Sequence, residues 1–261
     1  MQSAVLGAFD HYAYAVVAVV GTFLAVWACD WLLRRSRWAA WCVSWQGVVP
    51  PFINILGMMF GLTLAFLAND TWSAHDRAIN AVYREADALR TLAALSTPLP
   101  EPQRLQLRQA MADYGQTSAD EWSWLAQRTQ HPDMQRRADA LMIRVAAKDV
   151  REALGDTVQK LMLDKVSEMR RERDLRVSLS QTHVNPLKWL GMAFLGLLTL
   201  LSVAVVHVDK PRAALMSIML FACGAAPTAA IVLIQGNPFL APTAVTPEPI
   251  LSVLPALRPA P

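Results

Sequence analysis

The sequence predicts an all-α membrane protein with four transmembrane helices in two hairpins and a helical extramembrane domain inserted between the hairpins. A helix needs about 20 consecutive apolar residues to cross the hydrocarbon core of a bilayer. Four runs have or approach that length, at residues 12–33, 48–68, 189–206 and 213–234. The roughly 120 residues between the second and third runs are rich in Arg, Asp, Glu and Gln and contain no apolar run of that length.

These runs divide the chain into four parts. We expect a first transmembrane hairpin at 1–68, a helical extramembrane domain at 69–188, a second transmembrane hairpin at 189–234 and a Pro-rich tail at 235–261. The first run is expected to be a retained anchor, because no basic residue precedes it and it is longer than the apolar core of a signal peptide.

Composition argues against several classes of protein. The net charge of +3 is small and dispersed, which disfavours nucleic acid as a partner. Cys29, Cys42 and Cys223 lie in or beside apolar runs and form no CxxC pair, so we expect small packing side chains, with no disulfide and no metal site. The chain has no Gly-rich phosphate loop, no nucleophile elbow and no metal-ligand spacing. We therefore predict no enzyme, no catalytic residue and no cofactor.

The extramembrane domain is predicted to be entirely helical. The second helix should continue beyond the membrane to about Ser96, because apolar residues recur along it at helical spacing: Ile79, Val82, Ala86, Leu89 and Ala93. Pro-rich breaks at 97–102 and 131–133 separate a helix that ends near Arg128 from a long helix over 133–180. The tail has seven prolines from Pro238 onward, and we expect it to be extended over the surface or disordered.

The second apolar run has two distinct faces. Gly57, Gly61 and Ala65 form a ridge of small side chains of the kind that lets helices approach closely. At 100° per residue, the opposite face contains larger and polar side chains: Phe52, Leu56, Met59, Thr63, Phe66 and Asp70. A gated pore needs one packing face and one narrow apolar face that ends in polar groups. The same pattern also fits an ordinary core helix of a bundle.

Basic and aromatic residues mark three further segments. Asp30 and Arg34 are i, i+4 neighbours and predict a local ion pair. The end of the first run and the connector at 34–46 contain tryptophans that suit the headgroup region: Trp31, Trp38, Trp41 and Trp45. Four arginines crowd the end of the long helix: Arg170, Arg171, Arg173 and Arg176. They predict a solvated face or a lipid contact, or, in a symmetric oligomer, a positive vestibule that concentrates anions.

Several segments together resemble a known family. They are the run at 60–66, Asn69-Asp70-Thr71-Trp72, the stretch 84–89, the segment from Tyr114 to Glu121-Trp122, the Arg-rich helix and Asn237-Pro238-Phe239. The region from about 57 to 249 resembles the bacterial bestrophin-like domain family and, more distantly, bestrophins. The resemblance implies a homopentameric anion channel with four spans per subunit, a helical cytosolic domain and an apolar pore neck on the second span.

The resemblance also places specific residues. The neck would fall on Met59, Thr63 and Phe66 or Leu67, in agreement with the face opposite the small-residue ridge. Four departures stand against a simple transfer of function. Thr63 breaks an otherwise apolar neck, and Asp70 at its mouth would repel anions. Asn237 replaces the acid of the Asp-Pro-Phe found in bestrophins, and Leu240 replaces the Gly that usually follows it.

We expect a homo-oligomeric ion channel of the bacterial inner membrane, with anions as the conducted species. The alternative is a non-conducting scaffold or accessory subunit whose domain and tail recruit other membrane proteins. Membrane lipid is a partner in either case. Orientation is contested, because the basic residues of the short loops favour a domain outside the cytosol. The basic residues near the domain ends of the spans are more numerous and, with the family resemblance, favour a cytosolic domain and cytosolic termini.

Overall fold

The chain forms an all-helical structure. The computed structural model describes residues 2–181, 186–241 and 243–257, with only the backbone described at 2–12 and 186. These residues contain eleven helices: α1 (Gln2–Arg35), α2 (Ala39–Val43), α3 (Pro50–Leu95), α4 (Glu101–Asp120), α5 (Trp122–Ala126), α6 (Met134–Val145), α7 (Lys148–Gln181), α8 (Pro186–Val206), α9 (Pro211–Ile234), α10 (Glu248–Leu251) and α11 (Leu254–Leu257). The predicted fold class is confirmed.

The helices belong to two compact units. The first unit comprises Met1–Trp72 and His183–Gly236, and the second comprises Ser73–Thr182 and Asn237–Pro261. We call them the membrane unit and the helical domain. The membrane unit contains the spans α1, α8 and α9 and the first half of α3, and all four helices are long and apolar enough to cross a membrane.

The membrane unit is held together by two clusters of small and branched side chains. Helix α1 packs on α8 and α9 through one cluster: Val26, Cys29, Leu200, Ala204, Ile218 and Ala222. Helix α3 packs on α8 and α9 through the other: Leu64, Leu67, Ala68, Met192, Ala229 and Val232. Many large apolar side chains face outward, as expected for helices that meet lipid or other subunits.

The helical domain has one core built from the second half of α3, α4–α7 and the C-terminal segment. The apolar stripe predicted on α3 is confirmed, because Val82, Ala86 and Leu89 are fully buried while Ile79 and Ala93 pack at the edge of the core. One expectation was wrong: the long helix over 133–180 is two helices, separated between Val145 and Lys148.

Helix α7 itself is kinked at Gly155, where φ is 81°. Glycine adopts this conformation readily because it has no Cβ. Apolar residues recur at helical spacing on both sides of this kink. Periodicity alone therefore indicated a single helix.

The expectation for the Pro-rich tail was also wrong, because the described part of the C-terminal segment is neither extended over the surface nor disordered. It forms α10 and α11, and Ile250, Leu254 and Leu257 are buried in the core of the domain. A proline lies within the first turn of each helix, where its missing N–H removes no intrahelical hydrogen bond. Gly115 on α4 makes space for this segment, since a Cβ at that position would lie 2.7 Å from Leu254 Cδ2.

Candidate ion pathway

Helix α3 uses one narrow face for packing inside the membrane unit. Leu64, Leu67 and Ala68 are buried there against α8 and α9. Gly196 on α8 admits the ring of Phe60, since a Cβ at that glycine would lie 3.1 Å from Phe60 Cε2. The packing face is therefore set by bulky side chains of α3 that fit against small residues of α8 and α9.

The predicted pathway residues lie mostly outside this packing face. Met59 is 49% exposed and Phe66 is 62% exposed, while Thr63 is half-buried. Leu67 is buried in the packing cluster. Of the two registers that the resemblance allowed, only the one with Phe66 leaves a large apolar side chain free to line a pore.

In the part of the chain that the structure describes, the two glycines of the small-residue ridge make no close contact with another helix. Among the described residues, no atom of another segment lies within 4 Å of a Cβ built at Gly57 or Gly61, and Gly61 and Ala65 are exposed. A contact between this ridge and a neighbouring subunit stays a prediction.

Asp70 has a cationic partner. Lys188 Nζ on α8 lies 2.7 Å from Asp70 Oδ2, and the two side chains are 55% and 57% exposed. Two residues further along α3, Trp72 Nε1 donates a hydrogen bond of 3.0 Å to Gln235 Oε1. The negative charge of Asp70, which the sequence predicts to lie at the mouth of an ion pathway, is therefore balanced by a lysine of the same chain.

The arginine cluster of α7 is not a solvated face, which corrects the expectation. Arg173 is 4% exposed and Arg176 is fully buried, so neither can line an open vestibule. Arg170 pairs with Asp139 at 2.9 Å, and only Arg171 remains exposed.

Arg176 forms a two-point pair with Glu85 of α3. Arg176 Nε donates to Glu85 Oε2 at 2.8 Å, and Nη2 donates to Glu85 Oε1 at 3.1 Å. Two further donors reach the same carboxylate oxygen, Tyr114 at 2.9 Å and Ser118 at 2.8 Å. Burial beside Glu85 raises the pKa of Tyr114 well above its usual value. Buried charges need such dense hydrogen bonding to offset their desolvation.

A second buried pair adjoins the first. Arg173 Nη2 lies 2.6 Å from Glu121 Oε1, and Arg173 Nε donates to Glu121 Oε2 at 3.1 Å. The Arg176 guanidinium also stacks 4.6 Å from the ring centroid of Trp122. Two cations and two anions thus form a neutral network that joins α3, α4, α5 and α7.

The Asn-Pro-Phe motif is a structural anchor of the domain. Asn237 Nδ2 donates to the carbonyl oxygens of Leu125 at 3.1 Å and Ala126 at 3.3 Å, while its Oδ1 accepts from the Phe239 N–H at 3.0 Å. The Phe239 ring meets Trp122 edge to face at 5.7 Å. Both the nitrogen and the oxygen of the Asn237 amide therefore form hydrogen bonds within the protein. Within the described residues no cluster of His, Cys, Asp or Glu is arranged to hold a metal ion.

The acidic half of the network was not predicted from the sequence. Glu85 and Glu121 were noted only as parts of the resemblance. A signal was available for Glu85, since it lies three residues after Val82 and four before Leu89, on the buried stripe. A charged residue at a core position of a helix indicates a buried partner.

The family of the chain is shown by its match to the Bestrophin-like domain over residues 20–250. The protein belongs to this family. It also resembles crystal structures of a bacterial bestrophin homologue from Klebsiella pneumoniae. One alanine variant of that homologue aligns with a TM-score of 0.63 and 13% identity, covering 93% of this chain and 96% of that chain. The structure phased by Zn-SAD aligns with a TM-score of 0.59 and 15% identity, covering 93% and 95%.

A crystal structure of another alanine variant, described only as a membrane protein, aligns with a TM-score of 0.61 and 14% identity, covering 93% of this chain and 96% of that chain. At these identities the likeness establishes the fold. No curated protein matches the sequence. Together with the four spanning helices, these similarities define a membrane protein with the bestrophin fold.

Proposed function

We propose that the protein is a homo-oligomeric ion channel of the bacterial inner membrane that conducts anions, with α3 lining the pore. The observation that carries the proposal is the exposed face of α3 with Met59 and Phe66, beside a packing face that is already filled. Membership of the Bestrophin-like domain family supports a channel of this kind. The family resemblance favours five subunits, each contributing one α3 to the ring.

The geometry of α3 supports a narrow apolar neck. Met59 and Phe66 are seven residues apart, which is two helical turns and places them on the same side of the helix. Thr63 lies between them and is half-buried, so its hydroxyl interrupts the apolar surface less than its position in the sequence suggests. Rings of apolar side chains gate pores by excluding water.

The charges near the proposed pathway are consistent with conduction of anions. Asp70 would repel anions if it were free, but Lys188 lies within ion-pair distance. The pair removes most of the negative field at this point, because opposite charges at contact largely cancel at longer range. The proposed selectivity therefore depends on an intact Lys188.

The test is conductance of the purified protein in planar lipid bilayers. We expect ion currents in wild type and at least about a twofold larger single-channel conductance in Phe66→Ala, because a smaller side chain widens the neck. Phe194→Ala is the matched control, since Phe194 lies on α8 and is 59% exposed against 62% for Phe66. That control should conduct as wild type does.

Two results would overturn the proposal. One is absence of current over a wide range of salts and voltages, and the other is equal conductance of wild type and Phe66→Ala. Crosslinking in native membranes separates the channel from the scaffold alternative. Crosslinked products whose masses are multiples of this one chain support the channel. A fixed heteromeric stoichiometry together with electrical silence supports a scaffold.

A further inference from the structure

The two short connectors of the membrane unit meet on one face. Arg34 Nη2 at the end of α1 donates a 2.9 Å hydrogen bond to the carbonyl oxygen of Pro211 at the start of α9. Gln46, after α2, donates to the Asp209 carboxylate in the α8–α9 connector. These contacts join residues 34–49 to residues 207–212, and we call the combined surface the basic connector face.

This face carries an excess of positive charge. It contains five basic side chains: Arg34, Arg35, Arg37, Lys210 and Arg212. Asp30 pairs with Arg34 at 2.7 Å, as predicted from their spacing, and Asp209 accepts from Gln46. The other four basic side chains are exposed, and none forms an ion pair with a described residue. Four cations thus remain available on one small surface.

Tryptophan side chains lie beside these charges. Trp38 and Trp41 pack edge to face with centroids 5.9 Å apart, and Trp41 and Trp45 are 4.3 Å apart. The three rings are 51%, 52% and 41% exposed, so they form an open aromatic surface. Arg37 lies 5.9 Å from the Trp38 ring. Tryptophan prefers the depth of lipid headgroups and glycerol esters, where one edge of the ring is wet.

An apolar groove opens at the same face. Its volume is about 260 Å³, and it is lined by Leu33 of α1, Ala204 of α8, Val208 of the α8–α9 connector and Ile218 of α9, together with the Asp30–Arg34 pair. A largely apolar groove on a face that also carries four basic side chains outside ion pairs is complementary to a molecule with an acyl chain and an anionic head. A free phosphate ion would use neither the groove nor the indole rings.

We propose that the basic connector face is a binding site for anionic phospholipid. Arg35, Arg37, Lys210 and Arg212 hold the phosphate, the tryptophan rings lie against the glycerol region, and one acyl chain follows the groove beside Leu33. The site is independent of ion conduction. If the helical domain is cytosolic, the connectors face the opposite leaflet, although short basic loops usually lie on the cytosolic side. Bound anionic lipid would then stabilise these basic connectors.

The test measures which lipid surrounds the tryptophans. The full-length protein is placed in nanodiscs of phosphatidylcholine and phosphatidylglycerol at 3:1, with bromine on the chains of one lipid or the other. At equal mole fraction of brominated lipid, we expect brominated phosphatidylglycerol to quench tryptophan fluorescence at least about twofold more, because each basic residue near a surface favours anionic lipid.

Charge variants identify the site. The combined change Arg35→Gln, Arg37→Gln, Lys210→Gln and Arg212→Gln should abolish the preference for phosphatidylglycerol. The matched control neutralises four exposed cations of the helical domain, Arg136, Lys148, Arg151 and Lys160, and should keep the preference. Equal quenching by both lipids in wild type would overturn the proposal, as would a preference that survives the connector changes or is lost equally in the control.

A second variant keeps the native charges and is read independently of the first. Replacing Trp31, Trp38, Trp41 and Trp45 with Phe should remove the difference between the two brominated lipids, because the five other tryptophans lie further from the connectors in the chain. Persistence of the full difference in that protein would place the anionic lipid at another surface and overturn the assignment.

Discussion

Arg176 and Glu85, which are 91 residues apart in the chain, form a fully buried two-point ion pair that joins α7 to α3. Taking both charges out of water is unfavourable, and their mutual attraction is supplemented by the hydrogen bonds that Ser118 and Tyr114 donate to Glu85 and by the Trp122 ring beside the guanidinium. A pair of this kind is sensitive to the loss of either partner, because the remaining charge stays buried.

Arg176→Met should strongly destabilise the helical domain. It leaves the Glu85 carboxylate buried without a cation, which removes about 3–5 kcal/mol of stability. For a protein of this size we expect an apparent Tm at least about 6 °C lower in detergent, measured by circular dichroism. Arg136→Met is the matched control, because Arg136 is 71% exposed and lies 3.0 Å from Asp133, which is 51% exposed. An exposed pair contributes less than about 1 kcal/mol, so equal Tm values for the two variants would contradict this interpretation.

The membrane unit could be predicted from sequence because the signal is local. Each span is a continuous apolar run, and the bilayer sets its minimum length. The observed spans Leu187–Val206 and Pro211–Ile234 begin within two residues of the predicted runs that start at 189 and 213. Helical periodicity also placed Met59 and Phe66 on one face of the second span, and their role in an ion pathway stays a prediction.

The domain interior could not be predicted because its contacts are distant in sequence. Four arginines within seven residues look solvent-exposed by composition, and only the tertiary fold brings Glu85 and Glu121 against two of them. The expectation for the C-terminal segment was wrong for a related reason. Its prolines exclude long helices, but they permit one-turn helices whose burial depends on the space beside Gly115.

Tyr114 should make stability fall at alkaline pH. The unfolded chain loses the phenol proton near pH 10.0, whereas burial raises the pKa of the folded state well above that value. The unfolded state then binds fewer protons, so this contribution is complete below pH 10 and is lost as the pH rises beyond it. Thermal unfolding between pH 9 and about pH 11 should show a smaller decline in Tyr114→Phe than in wild type. Tyr83→Phe, at a site 58% exposed, should keep the wild-type decline.

Asn237→Asp should destabilise the domain although it restores the acid found at this position in bestrophins. The change replaces an NH₂ donor with a carboxylate oxygen that faces the carbonyls of Leu125 and Ala126. Loss of these hydrogen bonds at a buried site should lower the free energy of unfolding by about 1–3 kcal/mol. Differential scanning fluorimetry should report a lower Tm, whereas Asn80→Asp at an exposed site on α3 should change it little. A Tm equal to that of wild type would show that the amide donors are dispensable.

Lys188→Gln should shift ion selectivity towards cations. It frees the Asp70 carboxylate, and in the proposed channel each subunit would then present an unbalanced negative charge near the pathway. We expect the anion-to-cation permeability ratio, taken from reversal potentials in asymmetric KCl, to fall about twofold or more at low salt and less at high salt. Lys160→Gln is the control, since Lys160 is an exposed residue of the helical domain. The double change Lys188→Gln with Asp70→Asn should return the ratio towards wild type, and a failure to do so would show that Asp70 does not act on the permeating ion.

Two sets of basic residues have opposing effects on the orientation of the chain in the membrane. Five basic residues lie in the short connectors, whereas at least seven lie near the domain ends of the spans: Arg77, Arg84, Arg170, Arg171, Arg173, Arg176 and Lys188. Basic residues close to a span favour retention in the cytosol even when they belong to a long domain. Arg173 and Arg176 are paired in the folded domain, but orientation is decided during insertion, before those pairs form. A reporter fused after Pro261 should therefore be active when it requires the cytosol and inactive when it requires the periplasm. The reverse pattern would place the helical domain outside and the basic connector face on the cytosolic leaflet.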